Sequence, residues 1–459
     1  MEEATTGETA TRKKPLLINR NYARLWIGQA ISNLGDMVFT TTLVLWVATD
    51  IASGQSWAPL AVSGVMIAAL LPTLLVGPLA GVFVDRWEKR TTMLRMDATR
   101  AILVALLLLI APFAPGSHFP VFIQLGLIYA VVALAGCCSQ FFRPARMALI
   151  RDVVNESDQG RAGGLAQISL SLAIVIGPPL ASPLLFLVGV EWALLINALS
   201  FVASFIAILL VRLPQNVDRA NVQAGEKHSF WSEFGAGLSF FGHSRVLMTL
   251  LISIMIVTLG SGVMNILDVF FVTQNLHISA NFYGIMGLAI GSGSVLGAVL
   301  STFITDRLGA VRTFWGCLVA AGLLLLIFSR QTGFAPALVI YFFAGIPIAA
   351  LNTALFPILL HATPRELLGR VNSILNPLQS VAELLATILA GYLASSPLQN
   401  FHMQAFGLSF GPIDSIFSLG GLLVILGGIY ALFSLRHVRL DQQATAPQVI
   451  AIQEEDTVV

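Results

Sequence analysis

The chain has 459 residues and a formal net charge of +1, and 56% of its residues are hydrophobic while 11% are charged. Soluble domains carry about 25% charged residues, so this composition excludes an ordinary soluble protein and indicates a polytopic membrane protein. The near-neutral charge gives no electrostatic basis for binding nucleic acid, and we expect no nucleic-acid partner.

The N-terminal tail, residues 1–22, is polar and holds Arg12, Lys13, Lys14 and Arg20. It lacks the short apolar region and the small-residue cleavage site of a signal peptide. We therefore expect it to be a cytoplasmic tail.

Twelve apolar stretches follow this tail. A helix needs about 20 apolar residues to cross a bilayer, because unpaired backbone groups are not tolerated in lipid. The predicted spans are 24–49, 58–83, 95–113, 119–142, 163–188, 191–211, 246–272, 282–304, 313–329, 334–360, 372–395 and 413–435. The sequence therefore predicts an all-α membrane protein with twelve transmembrane helices.

The Lys and Arg residues indicate how these spans are oriented, because cytoplasmic loops are enriched in them. With the N-terminus inside, Arg330 is the only one of the 25 cations that falls in an external loop, and Arg100 lies inside the third span. Arg143 and Arg146 fall in the loop between spans four and five. We expect a multi-pass protein of the cell membrane, surrounded by lipids, with both termini cytoplasmic.

A long polar stretch, residues 212–245, divides the chain into predicted bundles at 23–211 and 246–436, and a polar tail follows at 437–459. Within this linker, apolar residues recur at helical spacing: Phe230, Trp231, Phe234, Leu238 and Phe241. The pattern favours an amphipathic helix on the inner membrane surface. A plain loop with scattered aromatic residues is the alternative.

A charged motif occurs at the same place in both halves. The first copy consists of Gly81, Asp85, Arg86, Lys89 and Arg90, and the weaker second copy consists of Asp306, Arg307 and Arg312. Each copy lies between two predicted spans, so the sequence predicts a short charged hinge between two membrane helices. Such a duplication is typical of transporters whose halves rock against each other. The alternative is that the charges only keep the helical hairpin from sliding into lipid.

Other features are also repeated. Asn33 and Asp36 in span one correspond to Asn265 and Asp268 in span seven. A plan of six plus six helices in parallel repeats is that of major facilitator proteins. The first hinge resembles their signature between spans two and three: glycine, three residues, Asp-Arg, two residues, then two basic residues. Glu88 departs from this signature, since the family usually has glycine there.

The segments 19–26, 35–36 and 142–146 are most similar to bacterial drug:proton antiporters of the macrolide-efflux and enterobactin-exporter type. This resemblance implies the major facilitator fold, in which two six-helix bundles are related by a pseudo-two-fold axis. It also implies alternating access, a hinge that latches the cytoplasmic side closed, and a central cavity lined by spans one and seven.

Two further features have structural roles in this interpretation. Gly177 and Pro178 predict a bend in span five, because proline removes a hydrogen bond and glycine admits a neighbouring backbone. They resemble the Gly-Pro signature of exporters, although residues 173, 181 and 182 are not the usual glycines; a generic proline kink is the alternative. Asp97 and Arg100, three residues apart at the inner end of span three, predict an ion pair that supports the hinge.

Ionisable groups inside a bilayer are costly and are usually functional. Asp36 and Glu383 fall near the middle of spans one and eleven, and Asp268 falls toward the outer half of span seven. A carboxylic acid that leaves water holds its proton more tightly, so these residues are candidates for proton coupling or substrate contact, with Asp36 first. Asn33 and Asn265 lie three residues before the two aspartates and share their helix faces. A hydrogen-bonded packing role is the alternative.

These features favour a secondary active transporter that exports lipophilic neutral or cationic small molecules in exchange for protons. The few charges within the spans argue against anionic substrates. An uptake transporter or a lipid flippase of the same fold is the alternative, and a receptor built on an inactive transporter fold is more remote. The chain has no zinc-protease His motif, nucleotide-binding glycine loop or paired-Asp motif, so we expect no enzyme, no cofactor and no metal. We expect a monomer.

Overall fold

The computed structural model describes residues 17–84, 86–108, 120–212, 244–363, 368–405 and 408–436. The predicted linker helix at 230–241, the tail from residue 437, most of the N-terminal tail and Asp85 lie outside the described residues. Statements below refer to the described part of the chain.

The described part of the chain consists of helices, their connecting loops and one short hairpin. The first half contains α1 (Arg20–Trp46), α2 (Ala58–Leu75), α3 (Gly77–Val84), α4 (Lys89–Leu108), α5 (Val121–Val153), α6 (Gln159–Pro183) and α7 (Val190–Leu209). The second half contains α8 (Arg245–Ser261), α9 (Met264–Phe270), α10 (Tyr283–Leu308), α11 (Ala310–Ser329), α12 (Phe334–Ala362), α13 (Leu368–Ser395), the hairpin β1 (Met403–Ala405) and β2 (Leu408–Phe410), and α14 (Pro412–Leu435). The prediction of an all-α membrane protein is confirmed.

Eleven helical stretches of the described chain are long and apolar enough to cross a membrane, and they match eleven of the twelve predicted spans. The third predicted span overlaps α4, which does not qualify because it carries five charged residues: Lys89, Arg90, Arg95, Asp97 and Arg100. Residues 109–113 of that span lie outside the described part. A total of twelve therefore stays a prediction.

Three helices end in a π-helical turn, in which each N–H bonds the carbonyl five residues back. These turns are Val47–Ile51 after α1, Leu184–Val188 after α6 and Phe271–Asn275 after α9. The first and third occupy corresponding places in the two halves.

Small residues permit the close helix contacts inside each half. Within the first half α1 packs against α6 and α7, and within the second half α8 packs against α14. A Cβ on Gly28 of α1 would lie 2.6 Å from Ala207 Cβ, and one on Gly260 of α8 would lie 2.6 Å from the Gly420 carbonyl oxygen. Helices in lipid associate through such packing, since lipid provides no hydrophobic force between them.

The two halves meet at one end of the molecule. We call the end that carries residues 86–90 the hinge end and the other the opposite end. At the opposite end the Leu60 N–H of α2 donates to Ser395 Oγ of α13 at 3.1 Å. There too, a Cβ on Gly284 of α10 would lie 2.7 Å from the Pro178 carbonyl oxygen of α6.

The buried cores show the same asymmetry. The largest cluster joins both halves at the opposite end and includes Trp46, Leu185, Phe271, Phe328 and Phe417. At the hinge end, one cluster around Met93 and Phe142 belongs to the first half and another around Phe314 and Ile358 belongs to the second. Among the described residues the halves therefore share a buried core only at the opposite end.

Candidate functional site

The first hinge is bonded to its own half. Lys89 Nζ of α4 lies 2.9 Å from Asp152 Oδ2 at the end of α5. Arg90 Nη2 donates to the Leu209 carbonyl of α7 at 2.6 Å. A cation at a helix C-terminus satisfies free carbonyls and interacts favourably with the helix dipole. These contacts tie the start of α4 to α5 and α7.

Glu88, the departure from the family signature, has a local role. It precedes α4, and the Thr91 N–H donates to its Oε2 at 3.2 Å. A carboxylate at this position satisfies an N–H group that has no partner within the helix and faces the positive end of the dipole. Glu88 therefore caps α4 in place of a glycine turn.

The remaining described hinge residues make few contacts. Gly81 is half-buried and Arg86 is exposed, while Asp85 lies outside the described residues. In the second copy Asp306, Arg307 and Arg312 are all exposed. No ion pair joins a described hinge residue to the other half, so the latch implied by the resemblance stays a prediction.

Asp36 lies on α1 between two neighbouring helices. It is half-buried, and at the preceding Gly35 a Cβ would lie 2.7 Å from Ser200 Cβ of α7. Asn33 donates from Nδ2 to Ser169 Oγ of α6 at 3.3 Å. The nearby charges that act on the Asp36 carboxylate are those of Arg100, Asp97 and Arg143. The contacts of its α1 neighbours and the charges that act on Asp36 thus all belong to the first half.

Asp97 and Arg100 form an ion pair inside the first-half bundle, with side-chain exposures of 0% and 5%. The guanidinium carbon of Arg100 lies 4.6 Å from the Phe142 ring centroid and 4.3 Å from that of Phe201. Two aromatic rings at these distances stabilise a cation by their quadrupoles. The pair therefore joins α4 to α5 and α7.

A polar chain that the sequence did not reveal continues from this pair. Arg146 Nη1 of α5 donates to Gln29 Oε1 of α1 at 3.1 Å, and Gln29 Nε2 donates to Ser204 Oγ of α7 at 2.9 Å. The placement of Arg143 and Arg146 in a loop was wrong, because α5 continues to Val153 and holds Arg146 half-buried. Only the run of polar residues on α1 could have indicated this network.

The second half holds a different carboxylate site. Asp268 is 9% exposed, and the Tyr341 hydroxyl of α12 donates to its Oδ2. Its Oδ1 is buried without a partner among the described residues. Asn265, expected on the same face, is exposed. Glu383 on α13 is half-buried.

The predicted bend in span five lies where the halves meet. Helix α6 runs through Pro178, and a Cβ on Gly177 would lie 2.5 Å from Met37 Cβ of α1. Pro178 in turn packs against Gly284 and Gly287 of α10. These residues therefore place α6 between α1 and the second half.

An uncharged cavity of about 600 Å³ lies between the halves at the opposite end. Its walls include Thr49, Gln55, Phe186, Thr273 and Gln399. Hydroxyl and amide groups can bond a polar solute without fixing its charge. Within the described chain no cluster of His, Cys, Asp or Glu is placed to hold a metal.

The sequence of the chain is similar to those of known membrane transporters. The chain matches the family described as transmembrane secretion effector over residues 13–396. It is 23% identical over 407 residues to the MFS-type transporter YkuC of Bacillus subtilis, which covers 85% of this chain and 89% of YkuC. It is 23% identical over 383 residues to macrolide efflux protein A of Streptococcus pyogenes, which covers 81% of this chain and 88% of that protein.

Solved structures share the fold. The nucleoside transporter NupG superposes with a TM-score of 0.66 at 12% identity, covering 91% of this chain and 100% of NupG. A bacterial homologue of the iron transporter ferroportin, in an inward-facing state, gives a TM-score of 0.66 at 14% identity and covers 90% of this chain and 98% of that one. At these identities the similarity concerns architecture alone.

Proposed function

The chain belongs to the transmembrane secretion effector family of major facilitator transporters, and on that premise we propose that it exports lipophilic neutral or cationic small molecules in exchange for protons. Family and fold make it a multi-pass membrane transporter and not an enzyme. We propose in addition the direction of transport, the coupling ion and the class of substrate. We also propose that the two six-helix halves span residues 23–211 and 246–436 and are joined by a linker at 212–245.

The observation that carries the proposal is the one-sided contact between the halves. They share a buried core at the opposite end and have separate cores at the hinge end. Alternating access requires such a state, together with one in which the hinge end is closed. We place the hinge end and both termini in the cytoplasm, so this state receives its substrate from inside.

Proton coupling is assigned to Asp36 first. Its carboxylate is half-buried inside the first-half bundle, where a proton can neutralise it and a cationic substrate can displace that proton. Asp268 and Glu383 are further candidates in the second half, with Asn33 and Asn265 as neighbouring polar groups. The similarity to macrolide efflux protein A supports export of a lipophilic compound. The uncharged cavity at the opposite end supports a substrate without an acidic group.

The test uses purified protein in liposomes, an imposed pH gradient and a fluorescent lipophilic cation. In the parent protein, the dye should move in the direction opposite to the protons. Asp36→Asn should make dye movement independent of the pH gradient while leaving membrane insertion of the protein unchanged. Asp50→Asn, at the end of the same helix, is the matched control. If Asp36→Asn transports as well as the parent, the assignment of Asp36 as proton carrier is wrong. Dye movement that ignores the gradient would indicate a passive transporter, and movement with the protons would indicate uptake.

A further inference from the structure

A buried face of α7 separates α1 from α4. Asn197, Ser200, Phe201 and Ser204 recur at helical spacing on this face, and each is at most 3% exposed. Helices α1 and α4 both pack on α7. This face therefore determines which residues of α1 and α4 lie at the same depth.

Ser204 marks one depth. Its Oγ accepts a hydrogen bond from Gln29 of α1 at 2.9 Å, and its hydroxyl also interacts with the Asp97 carboxylate of α4. Gln29 and Asp97 are therefore level with each other on opposite sides of α7. Residues about one helical turn from Ser204 on α7 lie at a second, deeper level.

Ser200 and Phe201 mark that deeper level. Ser200 meets α1 at Gly35, and the Phe201 ring covers the Arg100 guanidinium at 4.3 Å. Asp36 follows Gly35 directly, so two consecutive residues of α7 contact α1 beside Asp36 and the guanidinium of Arg100 on α4. Arg100 is also the cation with the largest electrostatic effect on the Asp36 carboxylate.

Arg100 contacts two aromatic rings, and one of its three donor nitrogens has no hydrogen-bond partner among the described residues. The rings of Phe142 and Phe201 cover the guanidinium, Nη2 donates to Asp97 Oδ1, and Nη1 makes a long hydrogen bond of 3.4 Å to Ser139 Oγ. Its Nε and the Oδ2 of Asp97 are buried without a hydrogen-bond partner. Unsatisfied buried groups are costly, so this ion pair is open to a second carboxylate.

We propose that Arg100 is a positioning residue for the transported proton, shared between Asp97 and Asp36. This inference rests on the proposed role of Asp36. While Asp36 carries a proton and is neutral, Arg100 pairs only with Asp97. When Asp36 releases its proton to water, its carboxylate competes with that of Asp97 for the guanidinium. The guanidinium can rotate toward Asp36 while it stays in contact with the rings of Phe142 and Phe201 inside the bundle. Asp97 and Asp36 thus set by competition how readily the proton departs.

Other charged groups near Asp36 come from α5. Arg143 is exposed, and Arg146 is bonded to Gln29. The neighbouring α6 and α7 contribute charged side chains only in their first turns, Arg161 and Glu191. Of these cations, Arg100 is therefore the buried one that can pair with the Asp36 carboxylate.

The test measures protonation of Asp36 without any substrate. Dicyclohexylcarbodiimide modifies protonated carboxyl groups in apolar surroundings, and mass spectrometry of the purified protein gives the modified fraction of Asp36 at each pH. We expect Arg100→Gln to shift the midpoint of labelling at least one pH unit upward, since loss of a nearby cation favours the protonated form by about that much. Asp97→Asn should shift it downward, because it releases Arg100 to Asp36. Glu383, on α13, is an internal control whose labelling should keep its parent midpoint in both variants.

Fixed charges alone would also give opposite shifts, so the double variant Arg100→Gln/Asp97→Asn distinguishes sharing from a merely structural ion pair. If Arg100 is shared, Asp97→Asn should lower the midpoint much less in the Arg100→Gln background than in the parent. An equal lowering in both backgrounds overturns the inference. If Arg100→Gln fails to fold, Asp97→Asn decides alone, and an unchanged or upward midpoint refutes the proposal. Because the labelling needs neither dye nor gradient, a failure of the transport assay leaves this result readable.

Discussion

Gly391 provides the sharpest perturbation of the contact between the halves. It lies on α13, where an added Cβ would overlap Ser63 Oγ of α2 and lie 2.9 Å from Ser63 Cβ. Ser63 cannot withdraw easily, because it is fully buried and its hydroxyl donates to the Pro59 carbonyl at 2.9 Å. That carbonyl is itself 3.2 Å from the added atom. Gly391→Ala should therefore push α13 away from α2.

The expected magnitude follows from the overlap. Adding an atom to a closely packed contact costs about 1–3 kcal/mol. This cost arises only while the halves touch at the opposite end, so it disfavours that state relative to the one in which the opposite end is open. Since about 1.4 kcal/mol is a factor of ten, the population ratio of the two states should change about 5- to 150-fold.

Spin-label distances can measure this ratio. We would replace Cys137, Cys138 and Cys317 by Ser and attach labels at the hinge end, at Glu156 in the first half and Leu308 in the second, both exposed. The parent should show mainly the long distance. Gly391→Ala should increase the short distance, in which the hinge end has closed.

Gly126→Ala is the matched control. Gly126 is also a helical glycine, but nothing lies within 4 Å of its added Cβ. Both variants gain the same helix propensity, about 0.5–1 kcal/mol. Equal distance distributions for Gly391→Ala and Gly126→Ala would refute the view that this contact holds the opposite end closed.

Two further predictions concern polar contacts in the second half, and thermal unfolding in detergent checks both. Tyr341→Phe removes the hydroxyl donor of the buried Asp268, so it should cost about 1–3 kcal/mol, because it leaves both oxygens of a buried carboxyl group without a hydrogen-bond partner among the described residues. A loss no larger than that of the exposed control Tyr392→Phe would contradict this role. Arg330→Met leaves Asp414, 2.9 Å away and 4% exposed, without its cation, and should cost about 2 kcal/mol because Arg330 keeps some contact with water. Arg330→Lys should retain most of that stability, and a loss equal to that of the Met variant would show that charge is not what matters.

The features that the sequence predicted correctly depend on local spacing. Apolar stretches of sufficient length predicted the helices, because a span is determined by its own composition. The third predicted span, 95–113, stays a prediction, since α4 carries five charged residues and residues 109–113 lie outside the described part of the chain. The proximity of Asp97 and Arg100 also follows from a separation of three residues on one helix.

Contacts between distant helices could not be predicted in the same way. Arg146 reaches Gln29, which is 117 residues earlier in the chain, and Tyr341 reaches Asp268 across 73 residues. Periodicity gives the face of a helix but not the neighbour it meets. The exposure of Asn265 beside the buried Asp268 has the same origin, since residues three apart differ by about 60° around a helix and can lie on either side of a contact.

The three π-helical turns at the opposite end have a consequence for the width of the cavity there. Thr49, Phe186 and Thr273 each lie in one of these turns and on the wall of the cavity there. A segment that exchanged its five-residue hydrogen bonds for four-residue ones would rotate its end by about the 100° that one residue spans in a helix. The side chains of Thr49, Phe186 and Thr273 would thereby change position on the cavity wall, so the width of the cavity would change while both bundles stay in place.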